Sequence, residues 1–137
     1  SAAVRSGDQV LEVGTGSGYL SACMALMGGQ VQSLELHADL AATARSNLQA
    51  TGCSSVEVSC ADGLGLVSET AYDVIVLTGS LPLYQPCFER ALKFGGRQWG
   101  RHAGPTGAPP GPCRVHQHRA VRNLARGTGA CSRSARL

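Results

Sequence analysis

Apolar and polar residues alternate along the first 96 residues in a pattern that predicts strands and helices in turn. Short apolar runs predict strands over Gln9–Val13, 31–35, 56–58 and 72–77. Apolar residues at helical spacing predict helices over 19–27, Ala38–Ala50 and 88–94. The β-branched run of the last strand suggests burial on both faces, as in a parallel sheet. We therefore predict an α/β fold with a doubly wound, mostly parallel sheet and helices on both faces.

The pattern stops at about residue 97, where composition and charge both change. Residues 1–96 carry four basic and nine acidic side chains, whereas residues 97–137 carry eight arginines and no acid. The second part also holds six glycines, four prolines and one aromatic residue, a tryptophan. So little apolar surface does not offset the entropy of ordering the chain. We predict an α/β domain over residues 1–97 and a disordered Arg/Gly/Pro-rich tail over 98–137, with a marginal helix at 119–125.

The composition argues against several other classes of protein. No apolar run approaches the roughly 20 residues that a membrane span needs, and the start of the sequence does not resemble a secretory signal. The six cysteines form no CxxC pair, which favours reduced thiols and a cytoplasmic location over a disulfide framework. His116 and His118, with Cys113 and Cys131 nearby, fit no usual zinc spacing, so we predict no metal site.

The segment 11–19 contains the main candidate site. An apolar strand leads into a glycine-rich turn over 14–18, and the turn opens a helix. Glycines allow positive φ and a close approach of a ligand, and the first amides of a helix are free to bind it. An acidic side chain precedes the turn inside the strand, within reach of the turn amides or of a ligand's ammonium group. The predicted contacts of this segment are Glu12, Gly14, Thr15, Gly16, Ser17, Gly18 and Tyr19.

This pattern resembles that of class I methyltransferases, which bind S-adenosylmethionine on a Rossmann-like fold. The resemblance implies roles for residues that end or follow the next three strands. Glu35, at the end of the second strand, would accept hydrogen bonds from both ribose hydroxyls. Asp62 and Gly63 follow the third strand, where a carboxylate would accept from the adenine amino group. Thr78 follows the fourth strand and would line the methyl-donor end.

A narrower resemblance covers about residues 5–97. It is carried, in order and spacing, by VLEVGTGSGY, an acidic strand end, ADGLG, YDVIVLTGSLP and LKFGGR. These motifs resemble protein-L-isoaspartate O-methyltransferases. The resemblance implies methyl transfer to the α-carboxylate of an L-isoaspartyl residue in damaged protein, which allows repair through a succinimide. Because the donor is already activated and the acceptor already ionised, catalysis would rest mainly on positioning, and we assign no catalytic residue.

The sequence departs from that family on both sides of the resemblance. The family carries a segment before the glycine turn that grips the isoaspartyl peptide, whereas this sequence starts ten residues before Leu11. We therefore assign no substrate-binding residue, and we expect an incomplete sheet, weak cofactor binding and no measurable isoaspartyl methylation by this chain alone. After Arg97 an arginine-rich tail stands where the family continues with an apolar strand, which we interpret as a shifted reading frame.

Two other functions stay open at this point. The same cofactor fold would also suit an RNA or small-molecule acceptor, although an Asn-Pro-Pro-Tyr run after the fourth strand is missing. Alternatively, the chain is a non-catalytic polyanion-binding protein that uses its arginines, although no RNA-binding signature accompanies them. We expect an isoaspartyl-containing protein or peptide as the partner, with no specific nucleic acid and no membrane. The sequence does not predict the oligomeric state.

Overall fold

A single mixed sheet forms the centre of the molecule in the computed structural model, which describes residues 4–65, 71–81, 85–102 and 114–117. The strands are β1 (Gln9–Val13), β2 (Gln30–Glu35), β3 (Glu57–Cys60), β4 (Tyr72–Leu81), β5 (Leu92–His102) and β6 (Arg114–Gln117). The helices are α1 (Tyr19–Leu26), α2 (Ala38–Ala50) and α3 (Pro86–Ala91), with a 3₁₀ turn at Gly63–Gly65. No helix in these described ranges is long and apolar enough to cross a membrane.

The strand order places a crevice beside β1. The order is β3-β2-β1-β4-β5-β6, with parallel pairing from β3 to β5 and antiparallel pairing of β6 with β5. The chain runs outward from β1 through β2 to β3 and then crosses back to β4 on the other side of β1. In open sheets of this kind, ligands bind at the carboxyl ends of the strands where the order reverses. Most of the predicted site residues end or follow these strands, but Glu12 lies within β1, and Thr78, predicted to follow the fourth strand, lies within β4 because that strand continues to Leu81.

Apolar side chains are buried on both faces of the sheet, which confirms the doubly wound prediction. Val10 and Val74 pack on one face with Met24 of α1 and Leu48 of α2. The alternate residues of the same strands point to the other face and pack with α3. The second cluster contains Leu11, Leu34, Tyr72, Ile75, Leu77, Phe88, Ala91 and Leu92. Each face therefore has its own core, and β1 and β4 contribute to both.

The predicted helix over 88–94 is wrong in its second half. α3 ends at Ala91, and Leu92 is extended, with φ −75° and ψ 137°. Leu92 pairs with Tyr72 at the start of β5 and is buried in the same core as Phe88. Two glycines follow at Gly95 and Gly96, and glycine is a poor helix former. The glycines disfavour a longer helix, so α3 ends at Ala91 and the chain continues as the strand β5.

Residues beyond 97 also form strands, against the predicted disorder of those positions. Gln98 pairs with Ile75 and Trp99 pairs with Val76 as β5 continues through His102. Residues 114–117 form β6 against β5. Backbone groups supply the ladder hydrogen bonds whatever the side chains are, so polar residues beside β4 are held in the sheet. The rest of the tail, including Cys113, His118, Cys131 and the predicted helix at 119–125, lies outside the described residues.

Candidate functional site

A cleft of 570 Å³ opens at the carboxyl ends of β1, β2, β3 and β4. Six of the eleven predicted ligand-binding residues line it. They are Gly14, Gly16, Glu35, Asp62, Gly63 and Thr78. Gly79, the neighbour of Thr78, also lines it, and residues that the sequence reasoning missed complete the wall: Val13, Leu34, Leu36, His37, Ala61 and Leu64. Most of these lie next to a predicted residue, so their neighbourhood in the sequence was the available signal.

The glycine turn needs glycine at two cleft-lining positions for different reasons. Gly14 has φ 100°, and a Cβ there would lie 2.7 Å from Oγ1 of Thr78 and 2.8 Å from the amide nitrogen of Gly79. Gly16 has φ 55°, and a Cβ there would meet no atom within 4 Å. Gly14 therefore allows a close approach of β1 and β4. Gly16 supplies the left-handed conformation and leaves space open beside the cleft.

The carboxylate of Glu35 is fixed at the wall of the cleft by two backbone amides. Oε2 accepts a hydrogen bond from the amide of Gly16 at 3.0 Å, and Oε1 accepts one from the amide of His37 at 3.2 Å. The residue is only 5% exposed. Each carboxylate oxygen accepts about two hydrogen bonds. Both oxygens therefore keep acceptor capacity for a ligand with paired hydroxyl groups.

The loop after β3 places Asp62 in the wall of the cleft. Oδ1 of Asp62 accepts a hydrogen bond from the amide of Leu64 at 2.9 Å, and its carbonyl accepts one from the amide of Gly65 at 3.1 Å, which closes the 3₁₀ turn. Gly63 is buried against β1, where a Cβ would lie 2.6 Å from Cγ1 of Val13. This close packing fixes the loop against the sheet. The other carboxylate oxygen of Asp62 has no hydrogen bond assigned within the described part of the chain and is on an exposed side chain.

Like the buried Thr15, Glu12 does not line the cleft. It is 1% exposed and accepts hydrogen bonds from the hydroxyls of Ser21 on α1 and of Ser33 on β2, the latter at 2.8 Å. The hydroxyls of Ser33 and Thr15 are 2.6 Å apart. Because Ser33 donates its only hydroxyl hydrogen to Glu12, Thr15 donates to Ser33. Burial raises the pKa of Glu12, although the two serine hydrogen bonds oppose this shift.

The three remaining predicted residues face a second hollow. Ser17, Gly18 and Tyr19 line a 240 Å³ space between α1 and α2. There the side-chain amide of Asn47 donates to the carbonyl of Ser17 at 2.9 Å. The end of the glycine turn is therefore tied to α2, and only its first half faces the cleft. No cluster of three or more His, Cys, Asp or Glu suited to a metal ion occurs within the described ranges.

Comparison with known protein families shows to which family the chain belongs. A family model described as protein-L-isoaspartate(D-aspartate) O-methyltransferase matches residues 2–98, which is more than half of the sequence. The chain belongs to this family. A protein-L-isoaspartate O-methyltransferase of Koribacter versatilis is 39% identical over 97 residues, covering 70% of this chain and 44% of that protein. The chain therefore spans about half the length of the curated relatives that it matches.

Solved structures agree with this assignment. A protein-L-isoaspartate O-methyltransferase superposes with a TM-score of 0.72 and 28% identity, covering 83% of this chain and 37% of that one. A Plasmodium falciparum protein given the same family name, solved in complex with S-adenosyl-L-homocysteine, superposes with a TM-score of 0.67 at 18% identity. That overlap covers 76% of this chain and 56% of the other and shows the shared fold. The predicted S-adenosylmethionine is the cofactor of this family.

Proposed function

We propose that the chain binds S-adenosylmethionine in the cleft, as part of a protein that methylates L-isoaspartyl residues. The observation that carries the proposal is the carboxylate of Glu35, buried at the end of β2 and hydrogen-bonded to the glycine turn. An acidic side chain at this place accepts paired ribose hydroxyls in dinucleotide-binding folds. The family match over residues 2–98 supports the same cofactor.

The remaining walls of the cleft suit the parts of this cofactor. Asp62 offers a carboxylate oxygen for an amino group, and Leu36 and Leu64 offer exposed apolar side chains for a flat ring. The open space beside Gly16 leaves room for a ligand to lie against the backbone. Acceptors and apolar walls therefore occur together in a cleft of 570 Å³, within the usual size of small-molecule sites.

The chemistry asks the protein mainly for positioning. When bound, S-adenosylmethionine supplies a methyl group already activated by its sulfonium. An isoaspartyl carboxylate is ionised near neutral pH, so no side chain has to remove a proton from it. The residues of this cleft bind and orient, and well-oriented reactants account for several kcal/mol of a barrier, roughly 7–11 kcal/mol in favourable intramolecular cases.

Isothermal titration calorimetry with S-adenosylmethionine tests the cofactor proposal. Glu35→Ala is expected to weaken the affinity of the chain by about 10- to 100-fold, because hydrogen bonds to a charged group contribute about 1.5–3 kcal/mol. Glu57→Ala is the matched control, since Glu57 is an exposed acid on β3 outside the cleft. Equal affinity of wild type and Glu35→Ala would contradict the site, and no heat of binding with wild type would contradict the proposal.

A chimaera tests the proposed acceptor. Residues 2–98 would replace the matching segment of the Koribacter versatilis protein, which supplies the rest of the family sequence. We expect methyl transfer to an isoaspartyl peptide and none to the same peptide with ordinary aspartate. Equal transfer to both peptides would contradict isoaspartyl specificity. The chain by itself, assayed in parallel, is expected to show no measurable transfer.

We also propose a cytoplasmic location. The four cysteines in the described part of the chain, Cys23, Cys53, Cys60 and Cys87, are all unpaired. Unpaired thiols are typical of reducing compartments. Immunoblotting of cell fractions with an antibody to the chain would test the location, and recovery in the secreted fraction would contradict it.

A further inference from the structure

Gly14 directly follows β1 and is held from two sides by the flanking strands β2 and β4. Its amide donates to the carbonyl of Leu34 on β2 at 2.8 Å. Its carbonyl accepts a hydrogen bond from the hydroxyl of Thr78 on β4. The same hydroxyl also lies 3.0 Å from the carbonyl of Val13. The backbone of Gly14 is therefore connected to both strands that flank β1.

The parallel register of β4 with β1, in which Leu77 pairs with Val13, brings the next residue, Thr78, beside Gly14 at the start of an irregular stretch of β4. Leu77 pairs with Gly100 of β5, but the next pair is Leu81 with His102. Three residues of β4 thus stand opposite one residue of β5. Bulges of this kind redirect side chains and occur often beside active sites. Thr78 is the first residue of the irregular stretch, is exposed, and lines the cleft.

The contact between Thr78 and Gly14 depends on the absence of a side chain at Gly14. A Cβ on Gly14 would lie 2.7 Å from Oγ1 of Thr78. The next glycine of the turn, Gly16, is held from the β2 side by the carboxylate of Glu35. The first half of the turn is therefore held by Glu35 and Leu34 on one side and by Thr78 on the other.

We propose that Thr78 is a positioning residue for the cofactor, because its hydroxyl holds the carbonyl of Gly14 and thereby the conformation of residues 14–16. This inference rests on the proposed function of the cleft. A turn that is ordered before binding does not have to be ordered by the ligand, and that lowers the entropic cost of association. Thr78 acts in this way through the backbone of Gly14.

Calorimetry on three variants tests the role. Thr78→Val keeps the shape but lacks the hydroxyl, and we expect it to bind S-adenosylmethionine about three- to tenfold more weakly, the effect of one neutral hydrogen bond. Thr78→Ser keeps the hydroxyl and is expected to bind within about twofold of wild type. Thr43→Val is the matched control, since the exposed Thr43 on α2 donates its hydroxyl to the carbonyl of Asp39 at 3.0 Å, away from the cleft.

Amide hydrogen exchange without cofactor separates positioning from direct contact. Gly14, Gly16 and Gly18 have hydrogen-bonded amides. We expect these amides to exchange faster in Thr78→Val than in wild type, and at wild-type rates in Thr78→Ser and Thr43→Val. Unchanged exchange in Thr78→Val, or affinity equal to wild type, would overturn the inference. Failure of wild type to bind the cofactor would instead contradict the proposed function, while the exchange rates would still report on the contact.

Discussion

The strands β1 and β4 differ sharply from β5 in how they are held in the sheet. Ile75 of β4 is 0% exposed, and its register partner Gln98 of β5 is 3% exposed. One strand fills its buried position with an apolar side chain, and its neighbour fills an equally buried position with an amide. In β4 the side chains and the backbone favour the same structure. In β5 the backbone pairing with β4 and β6 carries more of the stabilisation.

Two further features of β5 point the same way. The indole nitrogen of Trp99 is buried and has no hydrogen-bond partner among the residues that the structure describes. A buried donor without a partner costs about 1–3 kcal/mol. Gly100 lies so close to β4 that a Cβ would approach that of Leu77 to 2.8 Å. The family match ends at residue 98, within the same strand. The sheet therefore continues past the family match with a glycine that adds no side chain to the core and a tryptophan whose indole nitrogen lacks a partner among the described residues.

The largest expected effect compares the two register partners directly. Ile75→Ala is expected to lower the free energy of unfolding by about 2–5 kcal/mol, because it leaves a cavity between β1, β5 and α3. Gln98→Leu is expected to change it by less than about 1 kcal/mol in either direction, since an apolar residue of similar shape replaces a buried amide. Urea denaturation of both variants measures the two changes. A cost for Gln98→Leu as large as that for Ile75→Ala would show that β5 depends on its side chains.

The same contrast explains which parts of the fold could be predicted from the sequence. β1 and α2 have the predicted bounds because apolar spacing and glycine positions define them locally. β5 was predicted as a short helix followed by a disordered tail, since the run from Arg97 to His102 has no apolar pattern. Its strand depends on pairing with β4, which is distant in the sequence. Local sequence patterns therefore predicted β1 and α2, whose own side chains favour these elements. They did not predict β5, which depends on pairing with a distant strand.

The site shows a similar division. Glu35 was predicted at the cleft because an acid at the carboxyl end of a parallel strand faces the ligand side. Glu12 was predicted there too, but Ser21 and Ser33 hold its carboxylate in the interior. Those two serines come from α1 and β2, so nothing near Glu12 in the sequence indicated where its side chain points. Thr78 was predicted to line the cleft, yet its contact with Gly14 required the fold.

A smaller effect concerns Glu12 of β1, which makes the free energy of unfolding depend on pH. Burial raises the pKa of Glu12 above its ordinary value of 4.5. Protonated Glu12 therefore contributes fully to the stability of the fold below pH 4.5. This contribution is lost as the pH rises through the pKa of Glu12 in the folded state. Glu12→Gln removes this titration, so its stability relative to wild type is expected to increase between pH 4 and pH 7.

Thermal or urea unfolding of Glu12→Gln and wild type at the two pH values measures this difference. Glu57→Gln, on the exposed edge strand β3, controls for the loss of one negative charge. A relative stability of Glu12→Gln that fell as the pH rose would contradict the raised pKa, because it would mean that the hydrogen bonds from Ser21 and Ser33 outweigh burial.

The smallest expected effect comes from a carboxylate beside β5, where the shift has the opposite sign. Burial alone raises the pKa of Asp73, but the amide of Gln9 and the ammonium of Lys93, 3.0 Å away, lower it below its ordinary value. Asp73 therefore stabilises the fold above its ordinary pKa of 3.8, and this contribution is lost as the pH falls through the lower folded-state pKa.

Removing the ion pair tests how much this contact contributes at the β5 side of the sheet. Lys93→Met is expected to cost less than about 1 kcal/mol at pH 7, because both partners are partly exposed and water and salt screen them. The cost is expected to shrink in 1 M salt and as the pH falls through the lowered pKa of Asp73. Arg90→Met, on the exposed side of α3, is the matched control. A loss that persists in acid and in high salt would mean that the aliphatic stem of Lys93 packs on the sheet, and that β5 gains more from its side chains than from charge.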